Sequence, residues 1–348
     1  MSASFSKNVV VLGTGGTIAG LISDQNKEKG YVAAQVSVST LMAQTHLSAL
    51  LDPLGWTFQT EQVAQIDSKD MERSIWHALC SRCLMHLNDR QVSALVITHG
   101  TDTLAETAYL LCRLFGQASK PLVITGAMRA QNDPQTDGPK NLKDAVDCAV
   151  RVSQAGLGGV MVVFDGLVHD PVRVKKLSAQ SLNAFHSFEG DAVRDQIAPV
   201  RLLSHQLKPA PFEPMPDPMA WNAWTFDPKV SPQTWPHIEL LTCHADMGSD
   251  LFLDYLIDLK SHHPPSPQTA SLRGLVLSGL GSGTWPKVLE EKLKRLLDLG
   301  VWVVLCSQVP WGQNQPANGA LLSHAHFAYT TLDPSKTRIA LMLHLMDP

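Results

Sequence analysis

Short, unbroken apolar runs recur along the chain, each ending in a glycine, hydroxyl or acidic cluster and most followed by a stretch with helical spacing. The runs Val9–Leu12, Ala94–Thr98, Leu122–Thr125 and Val160–Phe164 read as strands. They are continuous instead of alternating, as expected of strands covered on both faces of a parallel sheet. After the second run, Leu104, Ala108, Leu111, Cys112 and Phe115 recur at helical intervals. Thr103 and Glu106, in capping-box spacing, predict that this helix starts near Thr103. Strands alternating with helices predict an α/β fold with a mostly parallel sheet, whose ligands bind beyond the carboxyl ends of the strands.

The pattern breaks between Pro209 and Pro236, where eight of 28 positions are proline, interleaved with Trp221, Trp224 and Trp235. Proline cannot donate to a ladder or continue a helix, so this stretch reads as a linker. Beyond it, strands are predicted at Ile238–Thr242, Leu275–Leu277 and Val301–Leu305, with a helix over Lys287–Leu299. The expected organisation is a larger N-terminal α/β domain over 1–208, the linker over 209–236 and a smaller C-terminal α/β domain over 237–348. A chain of 348 residues exceeds the roughly 250–300 at which one core stops growing, which agrees with two domains.

Composition narrows the function. With 44% hydrophobic and 17% charged residues the chain has material for packed cores. A formal charge of −4 offers no attraction to phosphate backbones or anionic lipid, so neither nucleic acid nor membrane is an expected partner. The apolar start at Val9 is too short for a secretion signal and ends in a glycine turn, so a cytoplasmic location is expected. Six cysteines embedded mostly in apolar runs read as reduced, buried thiols. Cys80 and Cys83, flanked by His77 and His86, lack a second pair at zinc spacing and also read as helix thiols. No metal or organic cofactor is expected.

Two turns carry the candidate chemistry. Gly13-Thr14-Gly15-Gly16-Thr17-Ile18-Ala19-Gly20 follows the first strand, but Ile18 stands where a dinucleotide fingerprint needs glycine, and no lysine is placed as in a phosphate loop. What remains is a hydroxyl among glycines that let a substrate approach the backbone, and threonine is a nucleophile when a base activates it. The second turn, His99-Gly100-Thr101-Asp102-Thr103, leaves Thr101 and Asp102 at a strand-to-helix junction facing the same mouth. The residues alone leave open which threonine acts first.

Together these two motifs resemble the signatures of the bacterial-type L-asparaginase and glutaminase-asparaginase family. Asp67-Ser68-Lys69-Asp70-Met71, Thr125-Gly126-Ala127-Met128-Arg129 and Asp137-Gly138-Pro139-Lys140-Asn141-Leu142 are similar as well, and Gly279-Leu280-Gly281-Ser282-Gly283 less closely. The resemblance implies hydrolysis of a side-chain amide through an acyl-enzyme, with Thr17 as nucleophile and Tyr31 as the hydroxyl partner carried by a lid loop from Gly20 to Gly30. It implies a second catalytic group of Thr101, Asp102 and a lysine, for which counting back from Phe185 selects Lys176 over Lys175. It places Gly16, Ser68, Lys69, Thr101 and Asp102 around the substrate, Ser68 on the α-carboxylate and Asp102 on the α-ammonium. His99 is read as structural.

Three departures from the family pattern stand out: Lys69 where glutamine or an acid is common, Ser282-Gly283-Thr284 where a turn carries asparagine, and no acid from Gln308 to Asn318. The resemblance implies an L-asparaginase forming dimers or tetramers. The alternatives are a relaxed glutaminase-asparaginase and a catalytically weak amino-acid-binding regulatory homologue. The amide-hydrolysing subunit of a tRNA-dependent amidotransferase is a further related reading.

Overall fold

The computed structural model describes residues 7–22, 30–187, 200–201, 225–247, 251–262, 272–310 and 320–346. They fall into two compact units, one running to Ser187 and including Val200–Arg201, the other from residue 225 onward.

In the first unit β1 (Asn8–Gly15) leads through α1 (Val38–Gln44) and α2 (Ser48–Leu51) to β2 (Thr57–Ile66). Then α3 (Arg73–Asn88), β3 (Ala94–Thr98), α4 (Leu104–Phe115), β4 (Pro121–Thr125), α5 (Gly138–Gln154) and β5 (Gly159–Phe164) alternate. The chain continues with β6 (Leu167–His169), β7 (Val174–Lys176), β8 (Phe185–Ser187) and β9 (Val200–Arg201). The sheet order is β2-β1-β3-β4-β5-β6-β9, with the first five strands parallel and the last two antiparallel. All four strands predicted from continuous apolar runs are present, and their residues are buried throughout.

Alternate residues supply the two faces of this sheet. Val9, Val11, Ala94, Val96, Val123 and Val163 pack with α1 and α5 through Val38, Leu41, Leu142 and Val146. On the other face α3 and α4 meet, where the Trp76 indole donates to Thr107 Oγ1 at 2.9 Å. The edge strand β2 has no continuous apolar run. It is fixed to α3 by Glu61, whose carboxylate takes bonds from Arg82 and, at 2.8 Å, from His86. Burial opposes the charge on Glu61, but these partners hold its carboxyl below the usual carboxylate range.

Strand order fixes where a crevice opens. From β1 the chain crosses to β2 on one side, whereas β3 lies on the other and leads on to β4. The connections after β1 and β3 therefore diverge, which makes the carboxyl ends of these neighbouring strands the topological switch point.

The second unit carries a parallel four-stranded sheet of β10 (His237–Thr242), β11 (Leu272–Gly279), β12 (Trp302–Ser307) and β13 (Phe327–Tyr329). Helices α6 (Leu251–His262) and α7 (Glu290–Asp298) share one core with it through Leu253, Leu256, Leu293, Leu297, Leu275 and Val303. Helix α8 (Pro334–His344) starts at Asp333, which accepts from the Ser335 and Lys336 N–H groups. The helix predicted over 287–299 begins with a 3₁₀ turn, Lys287–Leu289, before α7 proper. Of the proline-rich stretch, residues 209–224 lie outside the described residues; Trp235 at its end is buried. Among the described residues no helix is long and apolar enough to cross a membrane.

Candidate active site

Two glycine-bearing turns meet at the switch point. β1 and β3 are paired up to Gly13 and Thr98, so the turns that follow leave the sheet side by side. They touch backbone to backbone: a Cβ on Gly16 would overlap Gly100, and Gly16 sits at φ +82°, a conformation that favours glycine. A Cβ on Gly100 would in turn lie 2.5 Å from Ser68 Oγ. Three segments, ending β1, β2 and β3, thus interlock where no side chain fits.

The hydroxyls of the first turn divide into two kinds. Thr14 donates to the Thr98 carbonyl at 3.0 Å, a buried bond that ties β1 to β3. Thr17, also buried, shares a 2.6 Å hydrogen bond with the Tyr31 hydroxyl. Tyr31 arrives because Leu21 and Val32 form a two-bond antiparallel bridge, and its ring lies where a Cβ on Gly20 would stand, 2.9 Å from Tyr31 Cδ2. Residues 23–29 of the predicted lid loop lie outside the described residues.

The second turn gathers a different set. Lys176 Nζ donates to Thr101 Oγ1 at 2.9 Å and to Asp102 Oδ1 at 2.6 Å. It reaches them from the β7–β8 hairpin, where Lys176 pairs with Phe185, whose ring packs 4.7 Å from Phe164 at the end of β5. Lys175, paired with His186, points to the opposite side of this hairpin. Ser68 Oγ, buried, accepts from the Asp102 N–H at 3.2 Å. Thr17, Tyr31, Gly16, Ser68, Thr101, Asp102 and Lys176 are therefore brought to one edge of the sheet.

Lys69 is not linked to that group. Its ammonium turns to Asp67 at 2.6 Å and Asp70 at 3.4 Å and stays largely exposed. The hydrogen bond to Asp67 raises its proton affinity, with desolvation opposing. The capping box expected at Thr103 does not form. α4 does begin after Thr103, but its hydroxyl donates to the carbonyl of the buried Ser68 at 2.8 Å.

His99, fully buried, backs the second turn. Its Nδ1 bonds the Gly100 carbonyl at 2.7 Å and its Nε2 the Thr107 hydroxyl at 3.0 Å. Since a carbonyl can only accept, Nδ1 carries the proton; Nε2 then accepts from Thr107, whose oxygen accepts from Trp76. Burial pushes the imidazole down to about 4, with the Gly100 bond opposing. It is a neutral spacer that fixes the Gly100 peptide. Cys80 and Cys83 are free and buried in α3, and burial pushes both thiols up. Among the described residues no group of three or more histidine, cysteine or acidic side chains is placed to hold a metal.

The turn departing from the family pattern, Ser282-Gly283-Thr284, closes through Leu280–Thr284 backbone bonds in the second unit. Of the segment without an acid, residues 311–318 lie outside the described residues.

A mostly parallel sheet with two threonine-bearing turns in contact at its switch point, one beside a phenol and one beside an amine, defines an α/β protein with paired hydroxyl-bearing turns. Residues 8–205 match the family described as Asparaginase, N-terminal, and residues 237–347 that described as Glutaminase/Asparaginase C-terminal domain, so the chain belongs to the asparaginase family. It is 31% identical over 344 residues to L-asparaginase 2 of Escherichia coli (strain K12), covering 97% of this chain and 88% of that protein. It is 30% identical, over the same shares, to a probable periplasmic L-asparaginase of Haemophilus influenzae. The crystal structure of a probable cytoplasmic L-asparaginase from Campylobacter jejuni matches with a TM-score of 0.74 at 28% identity, covering 98% of this chain and 96% of that one.

Proposed function

We propose that the chain is an L-asparaginase, an amidohydrolase that converts L-asparagine and water to L-aspartate and ammonia. The observation that carries the reading is the convergence of Thr17–Tyr31 and Thr101–Lys176–Asp102 on turns of adjacent strands that touch at Gly16 and Gly100.

In this reading Thr17 Oγ attacks the side-chain amide carbon, its proton passing to the bonded Tyr31 oxygen and onward to the departing nitrogen, which leaves as ammonia. A β-aspartyl ester on Thr17 remains. Water, directed by Thr101 and Lys176, then attacks the ester, and the proton returned to Thr17 completes the cycle. Splitting amide cleavage into acyl transfer and ester hydrolysis replaces one difficult step with two easier ones. The buried Ser68 hydroxyl binds the substrate α-carboxylate and Asp102 its α-ammonium, a pair strengthened where water is excluded. Lys69, already held by Asp67 and Asp70, contributes little to either.

The domain boundaries at 208 and 237, a homo-oligomeric assembly of two or four copies and a cytoplasmic location complete the proposal. Sedimentation of the purified protein tests the assembly, and fractionation of expressing cells the location. The activity is tested by ammonia release from asparagine and glutamine with wild type, Thr17→Ala and Thr101→Ala. Release from asparagine that both variants abolish supports the reading; full activity in both refutes the mechanism. A kcat/KM for glutamine equal to that for asparagine would make the enzyme a glutaminase-asparaginase instead.

A further inference from the structure

We propose that Asn132 is a positioning residue for the reaction, holding the stem that delivers Tyr31 to Thr17. Its side-chain amide pairs with both main-chain groups of Ile22: the Ile22 N–H donates to Asn132 Oδ1 at 2.8 Å, and Asn132 Nδ2 donates to the Ile22 carbonyl at 2.8 Å. A primary amide presents a donor and an acceptor side by side, the same pair a strand edge presents. Asn132 therefore adds one rung beside the Leu21–Val32 bridge, whose two bonds are each 2.9 Å. Tyr31 is the next residue along from Val32. The adjacent Gln131 N–H donates to the Gly20 carbonyl at 2.9 Å, so the first strand of the stem is held at Gly20 and again at Ile22.

The support for Asn132 is itself fixed, and this gives the Asp137-Gly138-Pro139-Lys140-Asn141 motif a use that the chemistry did not supply. Asp137 accepts from the Met128 N–H at 3.0 Å and the Arg129 N–H at 3.0 Å. Asn141, buried in α5, donates to the Gly126 carbonyl at 3.0 Å and to Asp137 at 3.0 Å. The loop from β4 to α5 is thus clamped to the helix, and Asn132 extends from it to a stem more than a hundred positions earlier in the chain. Thr17 lies on the turn that follows β1, whereas Tyr31 lies on this stem; their 2.6 Å bond requires the two to be held in register. Preorganisation of this kind matters because a small misplacement of a reacting group lowers the rate steeply.

The role rests on the reading of Thr17 and Tyr31 as nucleophile and partner, and the test separates the two. Asn132 is solvent-exposed, so Asn132→Ala leaves the core intact. Ammonia release from asparagine is measured for wild type, Asn132→Ala, Tyr31→Phe and the double variant. Amide hydrogen exchange at Leu21, Ile22 and Val32 is measured in wild type and Asn132→Ala. The expected result is a kcat about five- to tenfold lower in Asn132→Ala, with KM changing less than kcat. The double variant should fall within about twofold of Tyr31→Phe, since both changes break one contact. Exchange at the three amides should accelerate while the melting temperature stays put. Multiplying losses in the double variant, or wild-type kinetics and exchange in Asn132→Ala, would overturn the inference. Absence of turnover in wild type would instead sink the asparaginase reading, while the exchange measurement would still judge the stem.

Discussion

Thr17 and Thr101 lie on touching turns that follow neighbouring strands, yet their partners are held in different ways. The partner of Thr101 comes from a hairpin anchored by Phe185 on Phe164, and its turn is backed by the buried chain Trp76–Thr107–His99–Gly100. The partner of Thr17 comes from a stem held by five backbone and side-chain amide bonds, three of them from Gln131 and Asn132 to Gly20 and Ile22, and Tyr31 itself is 42% exposed. The partner of one threonine is set by the core, that of the other by a peripheral segment. In the proposed mechanism the half that attacks the amide is thereby the less firmly held one, and the half that directs water onto the ester is the rigid one.

The largest effect tests the rigid half. Thr101→Ala and Lys176→Met should each lower kcat by about 10²- to 10⁴-fold, and the double variant should be no worse than the more damaged single one, because the pair acts as a unit. Steady-state ammonia release reads both; losses that multiply would separate Lys176 from Thr101.

Next comes the contact between the turns. Gly16→Ala places a methyl group into Gly100 at a φ that favours glycine, so it should destabilise the protein by about 2–5 kcal/mol, measured by urea unfolding. An unchanged midpoint would mean that the turns do not pack as described.

The backing of Thr101 predicts a pH signature. His99 binds a proton near 6.5 when unfolded and only near 4 when folded, so the unfolded state holds more protons between those values. Stability is full above pH 6.5 and declines as pH falls toward 4, by about 3 kcal/mol at the limit. His169, pushed down to about 4 by burial and then by His186, adds a loss of the same sign. The difference between wild type and His99→Asn over this window isolates His99, and identical slopes in thermal melts would remove it from the buried chain.

The smallest effect concerns Lys69. With its ammonium on Asp67 and Asp70 and mostly in water, Lys69→Ala should change kcat/KM for asparagine by less than about threefold. A tenfold change would place this lysine on the substrate.

What could be read from the sequence follows the same division. Strands β1, β3, β4 and β5 announced themselves as continuous apolar runs, and the two threonine turns as glycine and hydroxyl clusters at their ends. Edge strand β2 did not, because only part of its surface is covered and its residues mix polar and apolar types. The β5–β6 hairpin has a signal in the sequence as well: Asp165 and Gly166, both at positive φ, form the two-residue turn that an Asp-Gly pair favours. Thr103 shows why local spacing misleads, since its hydroxyl answers a carbonyl 35 residues away and not its own helix. The grouping of Lys176 with Thr101, 75 positions distant, is legible only through the family resemblance, and the tie of Asn132 to Ile22, 110 positions distant, follows from the order of strands in the sheet, which pattern alone does not give.

The most direct measurement is mass spectrometry of protein quenched in acid during turnover of asparagine, followed by peptide mapping. A β-aspartyl ester on the peptide carrying Thr17, absent in Thr17→Ala and accumulating in Thr101→Ala, is the predicted result. An ester on Thr101, or steady ammonia release without an ester on either threonine, would contradict it.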